Sequence, residues 1–194
     1  MPGLLLASRS PYRAKILTDA GIAFCVAPAD IDEQAHTQAD PVERAVAIAT
    51  AKAEKSRSLN PDTLTLGVDQ VVYEPRTSDV FGKPRDSEDH VRRLVALGGR
   101  CHDLVTGYAL VGPHGLCTGS QTTRIWMRTV SEAEITAYVA TGEGAGCAGG
   151  YAAEGRGGFL IERVEGDWFN VIGLPLYAIW SDLRRLGWRF DGSE

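Results

Sequence analysis

The order of apolar runs along this 194-residue chain predicts an α/β fold. Short apolar runs that suit buried strands alternate with segments of helical spacing. The first such run, Leu4 to Ala7, passes straight into a helix start at Ser10 and Pro11. Neither a repeat nor a Ser/Pro-rich linker interrupts the alternation. Residues 1–194 therefore read as a single domain, or as two closely joined lobes with no boundary visible in the sequence, long enough to bury a core unaided.

Each element has its own signal. Ser10 is a good N-cap and Pro11 suits the first helical position, where its missing N–H goes unneeded; Ile16, Leu17 and Ala20 supply the buried stripe. Asp40, Pro41 and Glu43 form an N-cap, N1 and N3 set that opens a helix through about Ser58, with Val42, Ala45, Val46, Ala49 and Ala53 on its apolar side. Asn60-Pro61 signals a loop, and Thr63 to Tyr73 reads as a strand. Ser87 caps a helix carrying Val91, Leu94 and Val95, which Gly98-Gly99 stop. Cys101 to Val111 and Leu116 to Met127 flank Gly112-Pro113-His114-Gly115, a hairpin with a four-residue turn. Ser131 and Glu134 make a capping box for a helix ending near Gly142. From Gly142 to Gly158 glycine is too frequent for regular structure. Phe159 to Val164 then reads as a strand, and Leu176 to Leu186 as a last amphipathic helix with Gly187 just past its end.

Composition excludes several classes. With 20 Lys and Arg against 25 Asp and Glu, the net charge of −5 leaves no basic stretch to displace counterions from a nucleic acid. No segment approaches the roughly eighteen apolar residues of a membrane span, and the N-terminal run is too short for a signal peptide; a cytoplasmic protein is expected. Cys25, Cys101, Cys117 and Cys147 are scattered without a C-x-x-C, which predicts reduced, mostly buried thiols.

The residues that carry chemistry are few. A helix that starts directly after a buried strand presents unpaired N–H groups and the positive end of its dipole, a ready phosphate site. Ser8 and Ser10 add hydroxyls and Arg13 a forked cation, although an ordinary βα turn with a capping serine has the same pattern. Asp69 sits among Leu66, Val68, Val71 and Val72, where a carboxylate is costly unless paired, metal-bound or facing a cleft. Its neighbour Gln70 reads as a specificity group or a plain strand polar. Lys83 lies in a turn after that strand, held by Pro84, or is one more surface lysine. Asp30, Asp32 and Glu33 are either oxygen ligands or a charged loop. Gly144, Gly146 and Gly149 spell G-x-G-x-x-G, yet they follow a helix and open none, so no dinucleotide fingerprint is present. His36, His90, His102 and His114 show no ligand spacing and read as surface or packing residues.

Taken together, LLLASRSPYRAKIL, PADIDE, AKAEK, GVDQVV, FGKPRD, LVTG and GGFLIERVEGDWFNVIGLPL resemble the Maf family, in order and from end to end. The resemblance implies a mixed, twisted sheet in two lobes with a central cleft, similar to the inosine-triphosphate pyrophosphatases, a divalent Mg or Mn ion and a homodimer. It places Ser8, Ser10 and Arg13 on the family's phosphate-binding S-x-S-P-x-R, Glu33 on its D-x-E acid, Lys52 and Lys83 on its two lysines and Asp69 on its catalytic acid. The activity it implies is hydrolysis of a nucleoside triphosphate between the α and β phosphates. Asp69 and Glu33 are then the acids, divided between metal binding and proton transfer in a way the sequence leaves open. Asp167 and Asn170 read either as ribose contacts or as shapers of a turn.

The same comparison separates branches. Tyr12, Gln70 and Glu154 resemble the branch acting on 7-methyl-GTP. A methylated guanine is cationic and suits the face of Tyr12, while a carboxylate at Glu154 accepts from guanine N1–H and N2–H₂ and repels uracil carbonyls. The expected substrate is 7-methyl-GTP or another modified nucleotide. The alternatives are dTTP and UTP, or a nucleotide-binding regulator of cell division without catalysis.

Overall fold

The computed structural model describes residues 3–113 and 115–188; Met1, Pro2, His114 and the six C-terminal residues lie outside the described residues. Seven strands and six α-helices alternate among them: β1 Leu4–Leu6, α1 Pro11–Asp19, β2 Phe24–Val26, α2 Pro41–Ser58, β3 Leu64–Glu74, β4 Asp79–Phe81, α3 Ser87–Leu97, β5 Cys101–Gly112, β6 Gly115–Met127, α4 Glu132–Ala140, β7 Ile161–Glu165, α5 Trp168–Ile172 and α6 Leu176–Arg185. The strands form one sheet in the order β2-β1-β3-β5-β6-β7, with β4 paired to β3. The sheet is mixed, as expected: β1 runs parallel to β2 and β3, while β4 on β3 and β7 on β6 are antiparallel.

The chain forms two compact units. One comprises Met1–Asp69, Thr106–Gln121 and Gly173–Glu194; the other comprises Gln70–Val105 and Thr122–Ile172. Three of the divisions fall inside β3, β5 and β6. A division inside a strand leaves no linker, which is why the sequence shows no boundary.

In the first unit α2 lies close on the sheet because its buried face is small. Ala45, Ile48, Ala49, Ala53 and Ser56 recur at three- and four-residue spacing. The expected Val42 and Val46 only flank this stripe, half-buried. Two strand glycines permit the approach. A Cβ on Gly67 would stand 2.0 Å from Ala49 O, and one on Gly107 2.3 Å from Ala45 C. Backbone cannot yield as a flexible side chain can, so Gly67→Ala is expected to cost about 3 kcal/mol, the upper end of ordinary overpacking, and to lower Tm by roughly 6–12 °C. Thermal unfolding checks this, and a Tm unchanged within error would contradict the packing described.

The second unit has its own core, with Val72, Leu94, Leu97, Leu104, Ile125, Ile135, Tyr138 and Tyr151 among its members. Two histidines serve packing there. His90 Nε2 meets Gly150 O, and His102 Nε2 lies 2.7 Å from Tyr151 Oη. Burial pushes the His102 imidazole down to about 4, against the opposing pull of Asp103 and Glu74, so the ring is neutral near pH 7.

Several local expectations need correction. Asp86, not Ser87, caps α3; Asp86 has the extended backbone of a cap and accepts Asp89 N at 2.8 Å. Both hairpin strands run through the flanking glycines, β5 to Gly112 and β6 from Gly115. Residues 142–158 include a 3₁₀ turn at Ala148–Gly150, and a second at Arg156–Leu160 takes Phe159 and Leu160 out of the expected strand. Phe159 is left 80% exposed. None of the four thiols is buried: Cys25, on the edge strand β2, is exposed and the other three are half-buried. Among the described residues, no helix is long and apolar enough to cross a membrane.

Candidate functional site

The first unit gathers seven of the ten expected site residues: Ser8, Ser10, Tyr12, Arg13, Glu33, Lys52 and Asp69. The turn from β1 into α1 is built as its sequence dictates. Ser8 Oγ accepts Ser10 N at 3.2 Å, and Ser10 Oγ caps α1 through Arg13 N at 3.4 Å. Arg13 folds back into this turn. Its Nη1 donates to Ser8 Oγ at 3.0 Å and to Val68 O at 2.9 Å, and its Nε to Gly173 O at 3.0 Å. Burial pulls the guanidinium pKa down, and the charges of Asp69 and Glu33 oppose that pull. A guanidinium has five N–H donors. Those bonds, made through Nε and Nη1, fix its plane.

Asp69 is buried in β3, 7% exposed. Its partner is Lys52, one α2 turn beyond Ala49. Lys52 Nζ lies 2.7 Å from Asp69 Oδ1 and 2.7 Å from Glu33 Oε1. The ammonium and Asp69 are nearly enclosed, whereas the Glu33 side chain, in a 3₁₀ turn at Glu33–Ala35, is 55% exposed. One cation thus holds two carboxylates together at the edge of solvent. Asp30 is not part of this group: it pairs with Arg9 in the open. Tyr12 is half-buried on the first turn of α1.

The second unit carries Gln70, Lys83 and Glu154. Lys83 is exposed and follows β4, a strand the sequence reading missed because three residues are too few for an alternating pattern. Glu154 is exposed between the two 3₁₀ turns. Gln70 Nε2 donates to Asn170 O at 2.7 Å. The two residues read as ribose contacts or turn shapers are built into this unit: Asn170, fully buried, and Asp167, whose carboxyl pKa is raised by burial and whose Oδ2 has no hydrogen-bond partner among the described residues.

Fold and cluster define a class: a mixed α/β protein with a serine-capped helix start, a pinned arginine and a lysine-bridged pair of acids. The chain belongs to the Maf family, whose model, described as Maf-like protein, matches residues 3–186. Relatives align over nearly the whole chain. A dTTP/UTP pyrophosphatase of Moorella thermoacetica is 41% identical over 184 residues, covering 92% of each protein. A nucleoside triphosphate pyrophosphatase of Synechococcus sp. (strain JA-2-3B'a(2-13)) is 39% identical, covering 97% of this chain and 96% of the relative. A dTTP/UTP pyrophosphatase of Geobacillus sp. (strain WCH70) is 36% identical, covering 97% and 100%. Among solved structures, the Ham1 protein of Staphylococcus aureus has 14% identity and a TM-score of 0.47 over 64% of this chain and 71% of that one, too slight a likeness to argue from.

Proposed function

We propose that this chain is a hydrolase that cleaves nucleoside triphosphates between the α and β phosphates, releasing a monophosphate and pyrophosphate. The observation that supports it best is Lys52 bridging Asp69 and Glu33 at 2.7 Å each, in the unit that also holds the pinned Arg13. Relatives named as pyrophosphatases at 36–41% identity support the same reaction. Asp69 takes a proton from the attacking water, with Glu33 as the second acid. Arg13 and Lys52 meet charge that develops on the phosphates, and Lys83 joins them by motif resemblance.

The charges bear on the cofactor. Arg13 and Lys52 are cancelled by Asp69 and Glu33, so this group as it stands has no surplus to hold a polyphosphate. Both acids offer hard oxygen donors within reach of a single ammonium, which fits Mg or Mn bound by one or two carboxylates and completed by phosphate oxygens. When bound, the ion supplies positive charge to the phosphates and lowers the pKa of water.

For the base, dTTP and UTP take precedence, because most of these relatives bear that name. A second reading, 7-methyl-GTP, is favoured only by the resemblance at Tyr12, Gln70 and Glu154, and none of the three relatives bears that name. The homodimer implied by the resemblance belongs to the same proposal and is read by light scattering. The test is pyrophosphate release from dTTP, UTP, GTP and 7-methyl-GTP with Mg or Mn, with and without chelator. Release from dTTP and UTP that vanishes on chelation and returns with the metal is expected. A preference for 7-methyl-GTP would restore the second reading, full activity after exhaustive chelation would remove the metal, and no release from any triphosphate would overturn the enzyme.

A further inference from the structure

Lys83 is exposed, and among the described residues no hydrogen bond or ion pair engages its ammonium. It differs in this from Lys52, whose charge is shared by two acids. A lysine stem is flexible, so an unengaged ammonium is placed only as well as its own backbone is held. That backbone is held on both sides, by residues of the same compact unit.

Before Lys83 the holder is Arg93 of α3. Its Nη1 donates to Gly82 O at 3.0 Å, the carbonyl of the peptide that joins Gly82 to Lys83, and its guanidinium carbon stands 5.6 Å from the centre of the Phe81 ring, a cation–π contact. A longer bond from Gly149 N, at 3.5 Å, meets the same carbonyl. After Lys83, Pro84 fixes its own φ, and Arg85 N donates to Asp89 Oδ2 at 3.1 Å. The two holds are joined, because Arg93 Nε lies 2.8 Å from that same Asp89 oxygen. Asp89 is buried and the Arg93 side chain nearly so. Burial would raise the Asp89 carboxyl pKa, but the Arg85 N–H and the guanidiniums of Arg93, Arg92 and Arg85 outweigh it and hold the group well below the usual carboxylate range, so it is ionised near pH 7.

Resting on the pyrophosphatase reading, in which Lys83 meets charge on the phosphates, we propose that Arg93 is a positioning residue: with Asp89 it clamps the main chain before and after Lys83 and so fixes the point from which the ammonium reaches the substrate. The clamp needs a fork. Nε and Nη1 belong to one rigid plane, so a single side chain meets a carboxylate and a carbonyl at once. Arg93→Met removes the fork but keeps an apolar stem, and Asp89 retains Arg85 and Arg92, so no buried charge is stranded.

The experiment is a double-mutant cycle on kcat/KM for pyrophosphate release, with whichever of dTTP, UTP, GTP and 7-methyl-GTP wild type turns over fastest. It compares wild type, Arg93→Met, Lys83→Met and Arg93→Met/Lys83→Met, with Tm for each. Lys83→Met is expected to lose about 10²-fold or more, as when one charge-stabilising donor is removed, and Arg93→Met about 10- to 100-fold, as when that donor is misplaced. In the Lys83→Met background Arg93→Met should cost no more than about twofold, because the group it positions is gone. Arg93→Lys keeps the charge and a donor without the fork and should fall between wild type and Arg93→Met; it replaces Arg93→Met in the cycle if that variant does not fold. A merely structural arginine gives the same fold-loss in both backgrounds, and that result overturns the inference, as does wild-type kcat/KM in either single Met variant. Wild type that releases no pyrophosphate from any nucleotide overturns the pyrophosphatase reading itself, before any variant is compared.

Discussion

Asp69→Asn is expected to lower kcat by about 10²- to 10⁴-fold, the usual worth of a positioned general acid or base, while nucleotide still binds and the protein still folds. The expectation rests on burial. At 7% exposure Asp69 is a carboxylate in an apolar strand, held there by Lys52 at 2.7 Å. Asn keeps the shape and can still accept from that ammonium, and Lys52 retains Glu33 at 2.7 Å, so no charge is stranded by the change. Initial rates of pyrophosphate release, with nucleotide binding by calorimetry on the same preparations, decide it. Retention of more than about a tenth of wild-type kcat would remove Asp69 from the chemistry and pass the role to Glu33.

The parts of this molecule that local chemistry dictates could be read from residues alone. Asp40 with Pro41, and Ser131 with Glu134, mark helix starts because a cap is a contact between residues two or three apart, and both fall where expected. The long strands β3 and β5 announce themselves by their apolar residues, and β6 by the glycine-rich turn that joins it to β5. β2 and β4 do not, since three residues leave no periodicity to detect, and α5 is hidden because five residues begun by Trp and Phe look like more loop. Of the two acids of the site, Asp69 was visible as a misplaced polar group and Glu33 only through the family resemblance. Their pairing was not: Glu33 and Asp69 are brought to one ammonium by the docking of α2, which depends on Gly67 and Gly107 leaving room for Ala49 and Ala45.

Lys52→Met tests the pairing itself. The change keeps an unbranched side chain on α2 but leaves Asp69, whose side chain is 10% exposed, beside Glu33 with no ammonium between them. Stripping one partner from a buried ion pair costs about 3–5 kcal/mol; here the Glu33 end is open to water and Arg13 lends some positive charge, so the expected loss is roughly 3 kcal/mol, or about 6–12 °C in Tm. Activity should fall by at least about 10²-fold, as when a single charge-stabilising donor is lost. Asp69→Asn in the same background removes the stranded carboxylate, and Lys52→Met/Asp69→Asn should therefore be more stable than Lys52→Met alone. The double-mutant cycle, read by denaturant unfolding, isolates this coupling from the separate cost of each substitution. Additive stabilities would show that Lys52 and Asp69 do not depend on one another, and the lysine-bridged pair of acids would then lose its standing as the centre of the site.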